Sequence, residues 1–578
     1  MKSFLQKNHR LVFYSCWLLL GLIQSRFSEL LDDEAYYWVY SKFPAWGYFD
    51  HPPMVAILIR IGYFFFKNEL GVRLAFLVLN TCSLLVIEKL TERKNPFLFY
   101  SIALSLAVLQ LGGILAVPDT PLIFFTGLFF LCYKRFIQLP SLLSTCLLGC
   151  VTAALLYSKY HAVLIVFFVL LSNLKLLTRY QVYVAGVIAL LIFLPHLVWQ
   201  YQHDWISFRY HLFQSNVNPY KFSYTLEYIS GQILLTGPLA GILLLPAALL
   251  YRSKNQVVHT SRKGGHLEIP VQQRVTRALK FTLVGIYIFF FLSSFRGKVE
   301  ANWTSPAIIP LVVLSHKFFS EPHSPLALWM RKWFYRLLPA TLILILFARI
   351  ITIADILPVK GLKKRYHGWE HWPQIMKERT KALPVVFGNS YQRASKYWFY
   401  TGQMTYSLNF YRERKNNYNF WPIEDSLLGK PVYLMDIYYP DSFKTEIKTN
   451  IGWVRYKYDS SFSSFAKVQF IPTENIIRIK EDSLLSITIK PNCPAHYLAY
   501  IRSHPGLRIK TVVGVFNKYD WLRDIQVGLS LSQLVQQQNT LTLNTHLPKG
   551  RYYLIFSIYH IGTLTPTHNS KKIELIVE

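Results

Sequence analysis

The chain has 578 residues, with 62 Lys and Arg against 31 Asp and Glu, a formal net charge of +31 and 52% hydrophobic residues. Only 16% of residues are charged, against roughly a quarter in soluble domains. Apolar blocks of spanning length recur as far as about residue 357. These features exclude a soluble dehydrogenase, a nucleic-acid binder and a disordered scaffold: the basic excess sits in short loops between apolar runs, where it is an orientation signal.

In chain order, Lys2, Lys7 and Arg10 precede an apolar run from Leu11 to Ile23 without a small-residue cleavage pattern, so this run is expected to remain as the first span. Spans are predicted at about 11–26, 72–88, 97–116, 120–133, 141–157, 161–174, 181–199, 226–250, 279–295, 304–316 and 334–356, eleven in all. A cytoplasmic N-terminus then places Lys89/Arg93/Lys94, Lys134/Arg135, Lys175/Arg179, the stretch from Arg252 to Lys280 and Arg331/Lys332/Arg336 on the inner side, as the positive-inside rule asks. Met54 to Phe66 is apolar apart from Arg60 but too short to span comfortably, so an interfacial helix after Pro52-Pro53 is expected. The first outer loop therefore runs from about Arg26 to Gly71. Five of the six cysteines lie in apolar segments and Cys493 stands alone beyond them, which argues against a disulfide framework.

Beyond the last span the composition turns polar. The expected organisation is a polytopic membrane domain over 1–357, a small α/β domain over 358–465 and a β-sandwich-like domain over 466–578. In the α/β domain, strands are predicted at Val385 to Phe387 and Val432 to Tyr439, with a helix at Tyr391 to Tyr400. The sandwich is expected to contain strands at Leu485 to Ile489, Tyr497 to Ile501, Lys510 to Phe516 and Tyr552 to Tyr559.

The densest polar set in the membrane half is Asp32-Asp33-Glu34-Ala35-Tyr36-Tyr37-Trp38, followed by Trp46-Gly47-Tyr48-Phe49-Asp50-His51-Pro52-Pro53. Acids suit a helix N-terminus and aromatics suit a membrane interface, which accounts for these residue types without any chemistry. The alternative is a base or metal site held against the bilayer surface. Asn302-Trp303-Thr304 matches a glycosylation acceptor, the only one in the chain, and this favours a bacterial inner membrane.

Together with Val117-Pro118-Asp119-Thr120-Pro121-Leu122, Ser158-Lys159-Tyr160, Lys298-Val299-Glu300-Ala301-Asn302-Trp303 and Gly388-Asn389-Ser390-Tyr391-Gln392, the first outer loop resembles glycosyltransferase family 39-like membrane enzymes. These are relatives of protein O-mannosyltransferases and lipid A aminoarabinose transferases. The resemblance covers most of residues 25 to about 425 and not the sandwich. It implies a GT-C fold, a mostly α membrane protein with a long first outer loop, and transfer of a sugar from a polyprenyl-phosphate donor with inversion at the periplasmic face.

Phosphate leaves as an anion, so such a reaction needs one carboxylate base and cations that hold the phosphate. The resemblance implies Asp33 as the general base, with Asp32 its adjacent rival. It also implies Glu34, His51, Asp119, Lys159, Arg296 and Lys298 as donor-phosphate or substrate ligands, and Asp50 with His51 as holders of a possible divalent cation. His51 stands where the aminoarabinose branch has Lys. The loop from Gln202 to His211 is expected to close over lipid or acceptor. The implied partners are a polyprenyl-phosphate-linked sugar, a lipid, polysaccharide or protein acceptor, and membrane lipids, with no nucleic acid. A transporter or flippase of lipid-linked sugars is the competing class. It would place its ionisable groups near the bilayer midplane, whereas the acids here gather at the outer boundary.

Overall fold

The computed structural model describes residues 7–214, 219–253, 270–322, 324–357, 359, 361, 365–435, 445–450, 452–518, 520–560 and 565–578. The chain divides into two compact units, Met1–His367 and Gly368–Glu578. The division falls ten residues beyond the expected end of the membrane domain, and residues 368–578 form one unit where two domains were expected.

The first unit is helical and apolar, that of a multi-pass membrane protein. Each of the eleven predicted spans is occupied by a helix or a broken helix pair. The count by length and composition is smaller. Five described helices are long and apolar enough to cross a membrane: Glu69–Leu90, Asp119–Gln138, Tyr180–Gln202, Val271–Ser293 and Pro325–Ile353. Three bent pairs raise the number to eight, and Leu142–Ser158 and Ala162–Ser172 are shorter apolar helices.

The breaks have identifiable causes. Gly237, at φ +105, ends Phe222–Thr236 in a conformation that favours glycine, and a Cβ there would lie 2.0 Å from the Ser105 carbonyl oxygen. Ser105 in turn ends Pro96–Ser105, which bends by 80° into the next segment, so two helix breaks face each other. The third break, an 85° bend between His9–Phe27 and Asp32–Lys42, builds the site described below.

Met54–Phe65 is a separate helix that starts after buried Pro52 and Pro53. Val55, Ala56, Ile59 and Gly62 are buried, while Ile57, Ile61, Phe64 and Phe65 are exposed. It packs on Glu69–Leu90 through two glycines: a Cβ on Gly62 would sit 2.3 Å from the Gly71 carbonyl oxygen.

In the second unit, β1 (Val385–Gly388), β2 (Thr405–Leu408), β3 (Val432–Met435), β4 (Thr445–Thr449) and β5 (Gly452–Asp459) form a sheet of order β2-β1-β3-β5-β4. Strands β1, β2 and β3 are parallel, and the helix Tyr391–Thr401 connects β1 to β2. The predicted end of β3 at Tyr439 lies outside the described residues. Two further sheets follow. One contains β7 (Ile476–Ile479), β9 (Ile509–Phe516), β10 (Trp521–Gln526), β12 (Gly550–His560) and β13 (Ile573–Val577); the other contains β6 (Gln469–Pro472), β8 (Leu484–Asn492) and β11 (Asn539–Asn544). Leu485, Ile487 and Leu541 of the smaller sheet share one core with Val513, Leu554 and Leu575 of the larger, which is a sandwich. One expected strand is corrected: Tyr497 to Ile501 lies within the helix Ala495–Ser503, where Tyr497 and Ile501, four apart, fall on its buried face.

Candidate active site

The site begins with the helix break at residues 28–31. A helix end leaves carbonyls without partners, and here one side chain takes them. The Arg73 guanidinium donates to the carbonyl oxygens of Ser25 (3.3 Å), Ser28 (2.7 Å) and Glu29 (2.9 Å). Its other face pairs with both Glu34 oxygens, at 2.7 and 2.6 Å. Glu34 also accepts the backbone N–H of Leu31, which caps the next helix, and that of Ala116, three residues before Asp119, each at 2.9 Å. Glu34 and Arg73 are 0% and 1% exposed. Glu34, expected among the ligands, is therefore filled by protein donors and fixes the geometry of its neighbour. Asp33, in the first turn of Asp32–Lys42, is solvent-exposed, and Asp32 is half-buried.

Asp50 is buried, and its Oδ2 accepts the hydroxyls of Tyr36 and Tyr40, each at 3.1 Å. Both tyrosines come from the helix that carries Asp33. Burial, with Tyr36 and Asp50 beside it, pushes the Tyr40 hydroxyl well above the ordinary tyrosine value and keeps it a donor. The Tyr48 N–H donates to the His51 carbonyl at 3.1 Å, closing a tight turn that presents Asp50 and His51 together.

The segment from Gln202 to His211 returns to this turn. Ser207 Oγ donates to the Tyr48 carbonyl at 2.8 Å, and His211 Nε2 lies 2.8 Å from the Asp50 carbonyl. The His211 ring stands 6.3 Å from His51 and 5.3 Å from Tyr160, and Tyr37 covers His51 at 5.5 Å. Gln200 Nε2 donates to Tyr160 Oη (3.0 Å) and Ser207 Oγ (2.7 Å), while His196 lies 3.2 Å from the same tyrosine hydroxyl. Sequence reasoning missed His196, Gln200 and Arg73. The signal for the first two was their four-residue spacing on an otherwise apolar span, which puts two polar groups on one helix face.

A second buried network joins three segments. Asp119 accepts Lys159 Nζ at 2.8 Å and Ser305 Oγ at 2.6 Å on one oxygen, and Asn302 Nδ2 at 2.8 Å on the other. Asp119 and Lys159 are 6% and 4% exposed. Lys159 is thus committed to a buried ion pair, and Asn302, the apparent glycosylation acceptor, spends its amide on Asp119. Arg296 and Lys298 are exposed on the same loop, with Lys298 3.0 Å from Glu300. At Asp50 and His51, where a divalent cation was expected, Asp50 Oδ2 accepts two tyrosine hydroxyls, and no group of three or more His, Cys, Asp or Glu that could hold a metal ion occurs among the described residues.

Residues 50–199 match the family model described as dolichyl-phosphate-mannose-protein mannosyltransferase. That stretch holds Asp50, His51, Asp119 and Lys159 and excludes Asp33, Glu34, Arg296 and Lys298. Among solved structures, ArnT from Cupriavidus metallidurans, crystallised with undecaprenyl phosphate, is similar at a TM-score of 0.55 and 14% identity, covering 78% of this chain and 98% of that one. No curated protein matches by sequence. The fold is that of a GT-C-type membrane glycosyltransferase. The likeness implied by the loop motifs is borne out.

Proposed function

We propose that the chain transfers a glycosyl group from a polyprenyl-phosphate-linked donor to a hydroxyl of a lipid, polysaccharide or protein acceptor at the periplasmic face of a bacterial inner membrane. The observation that carries this reading is a contrast among four acids. Glu34, Asp50 and Asp119 are buried, whereas Asp33 is exposed in the first turn of the helix that carries Tyr36 and Tyr40. The lipid carrier follows from the matched family description and from the undecaprenyl phosphate in the similar structure.

In this mechanism Asp33 takes the proton of the acceptor hydroxyl as its oxygen attacks the anomeric carbon. The bond from that carbon to the phosphate oxygen breaks, and polyprenyl phosphate leaves as an anion. No general acid is needed, and the anomeric configuration inverts. His51 and His211, adjacent and fixed by the Asp50 turn, face the phosphate, while Arg296 and Lys298 add positive field from the neighbouring loop.

The test is complementation of a deletion strain, scored by mass spectrometry of its envelope glycolipids and glycoproteins. A mass increment lost in the deletion should return with the wild type. Asp33→Asn should lower transfer by about 10² or more, the usual share of base catalysis, at normal protein levels. Asp32→Asn should restore most of the increment. Near-normal transfer by Asp33→Asn, or equal losses at the two positions, would show that Asp33 is not the base.

A further inference from the structure

Lys159 and Asn302 meet on the Asp119 carboxylate, and close to each in sequence stands a ring that faces the other: His161 and Trp303. Their centroids are 5.4 Å apart, and Phe290, 2% exposed, closes the back of the pair at 5.0 Å from His161 and 5.8 Å from Trp303. His161 and Trp303 are both half-buried, so each keeps an accessible edge. The buried network therefore fixes two partly open rings at a set distance.

His161 is also incompletely satisfied. Its Nδ1 is buried and has no hydrogen-bond partner among the described residues. A buried polar atom in that condition calls for a specific explanation. Turning the ring about Cβ–Cγ breaks no hydrogen bond of Nδ1 and exchanges it with a carbon at the opposite edge, since both orientations of an imidazole fill nearly the same volume. The ring of Tyr160, the residue before it, stands 5.3 Å from His211, which stands 6.3 Å from His51, so the imidazole follows directly on the residue that packs against the histidines assigned above to the phosphate. An aromatic face beside a few placed polar groups is the usual composition of a small-ligand subsite. A pyranose or furanose presents the matching surface, an apolar C–H face ringed by hydroxyls.

The geometry points to His161 and Trp303 as the subsite for the donor's sugar ring, with Trp303 packed on its C–H face and an imidazole nitrogen of His161 hydrogen-bonded to one hydroxyl. This inference rests on the donor reading above. It assigns sugar selection to residues distinct from the base and from the phosphate ligands. A polar group buried to receive one hydroxyl discriminates strongly against a sugar that lacks it.

The experiment uses the full-length Asp33→Asn protein, which retains donor unreacted, purified from its own cells. The polyprenyl phosphates that copurify are weighed by mass spectrometry, and the ratio of sugar-bearing to bare carrier is read. Adding His161→Phe preserves ring packing and removes both nitrogens. The ratio should fall about tenfold, the loss of one net hydrogen bond, with total carrier unchanged. His161→Gln should recover part of it. Trp303→Phe should keep most of the ratio and Trp303→Ala lose it. An unchanged ratio in His161→Phe, an equal loss of bare and sugar-bearing carrier, or only bare carrier on the starting protein would overturn the subsite while leaving the donor reading in place. Absence of any polyprenyl phosphate from the starting protein would overturn the donor reading itself.

Discussion

Replacing Glu34 with Gln removes the carboxylate that pairs with the Arg73 guanidinium, 1% exposed. Breaking a buried ion pair from one side costs about 3–5 kcal/mol, because the remaining charge stays desolvated. Glu34→Gln should therefore lower the apparent melting temperature of the purified protein, and Arg73→Met should lower it as well, because it also leaves the Ser25, Ser28 and Glu29 carbonyls without this donor. A Glu34 that served only as a substrate ligand would show unchanged melting in Glu34→Gln. The same reasoning applies to Lys159, whose removal leaves buried Asp119 uncompensated by a cation; its loss is first an effect on folding. The acids and His51 were legible in the sequence because charges grouped at the ends of apolar runs are conspicuous. Arg73 was not, because it sits at the edge of an apolar run and its partners lie 39 to 48 residues earlier. Sequence shows which charges exist, but their burial, which separates exposed Asp33 from buried Glu34, depends on long-range packing.

At the level of elements, hydropathy located the helices of the predicted spans and Met54–Phe65, but neither the helix Asp32–Lys42 nor the breaks. A bend at Gly237 or after Ser105 leaves the apolar run continuous, so the run reads as one span. The four-residue spacing of Tyr497 and Ile501 was likewise hidden within a short stretch that also suits a strand. Met54–Phe65 was legible as a separate short helix, and its placement depends on close backbone contact that only glycine permits. A Cβ at Gly71 would lie 1.7 Å from the Phe66 carbonyl oxygen, so the substituted backbone must shift. Gly71→Ala should cost more than the 1–3 kcal/mol usual for overpacking, read as lost monodispersity in detergent and a lower melting temperature. Phe64→Ala, at a position 74% exposed, should change neither. Equal behaviour of the two variants would mean that the helix does not pack on Glu69–Leu90 in this way.

At the scale of the membrane unit, the fold sorts charges to opposite ends of the same helices. Along Glu69–Leu90, Arg73 belongs to the acid-rich site and Glu88 pairs with Arg10 at 2.7 Å. Fifteen residues separate Arg73 from Glu88, about 22 Å of helix at 1.5 Å per residue. Asp119 and Lys134 are separated by the same interval along Asp119–Gln138; Lys134 lies 3.9 Å from Glu92, and Lys94 lies 3.5 Å from Glu321. Arg331 donates to the Phe319 carbonyl at that end. Arg10, Lys94, Lys134 and Arg331, expected inside, thus meet at one end of the bundle, and Asp33, Asp50, Asp119 and Lys159 occupy the other. Part of the Arg252–Lys280 loop lies outside the described residues and adds nothing to this comparison. Because a cluster of loop cations favours the cytoplasm, a phosphatase fused after Arg135 should be inactive. Fusions after Lys298 and after Val359 should be active, placing the site and the C-terminal unit in the periplasm. Activity after Arg135 with silence after Lys298 would put Asp33 in the cytoplasm, where a periplasmic transfer reaction has no access to it. Activity after Lys298 with silence after Val359 would keep the site outside while removing one crossing from the predicted eleven.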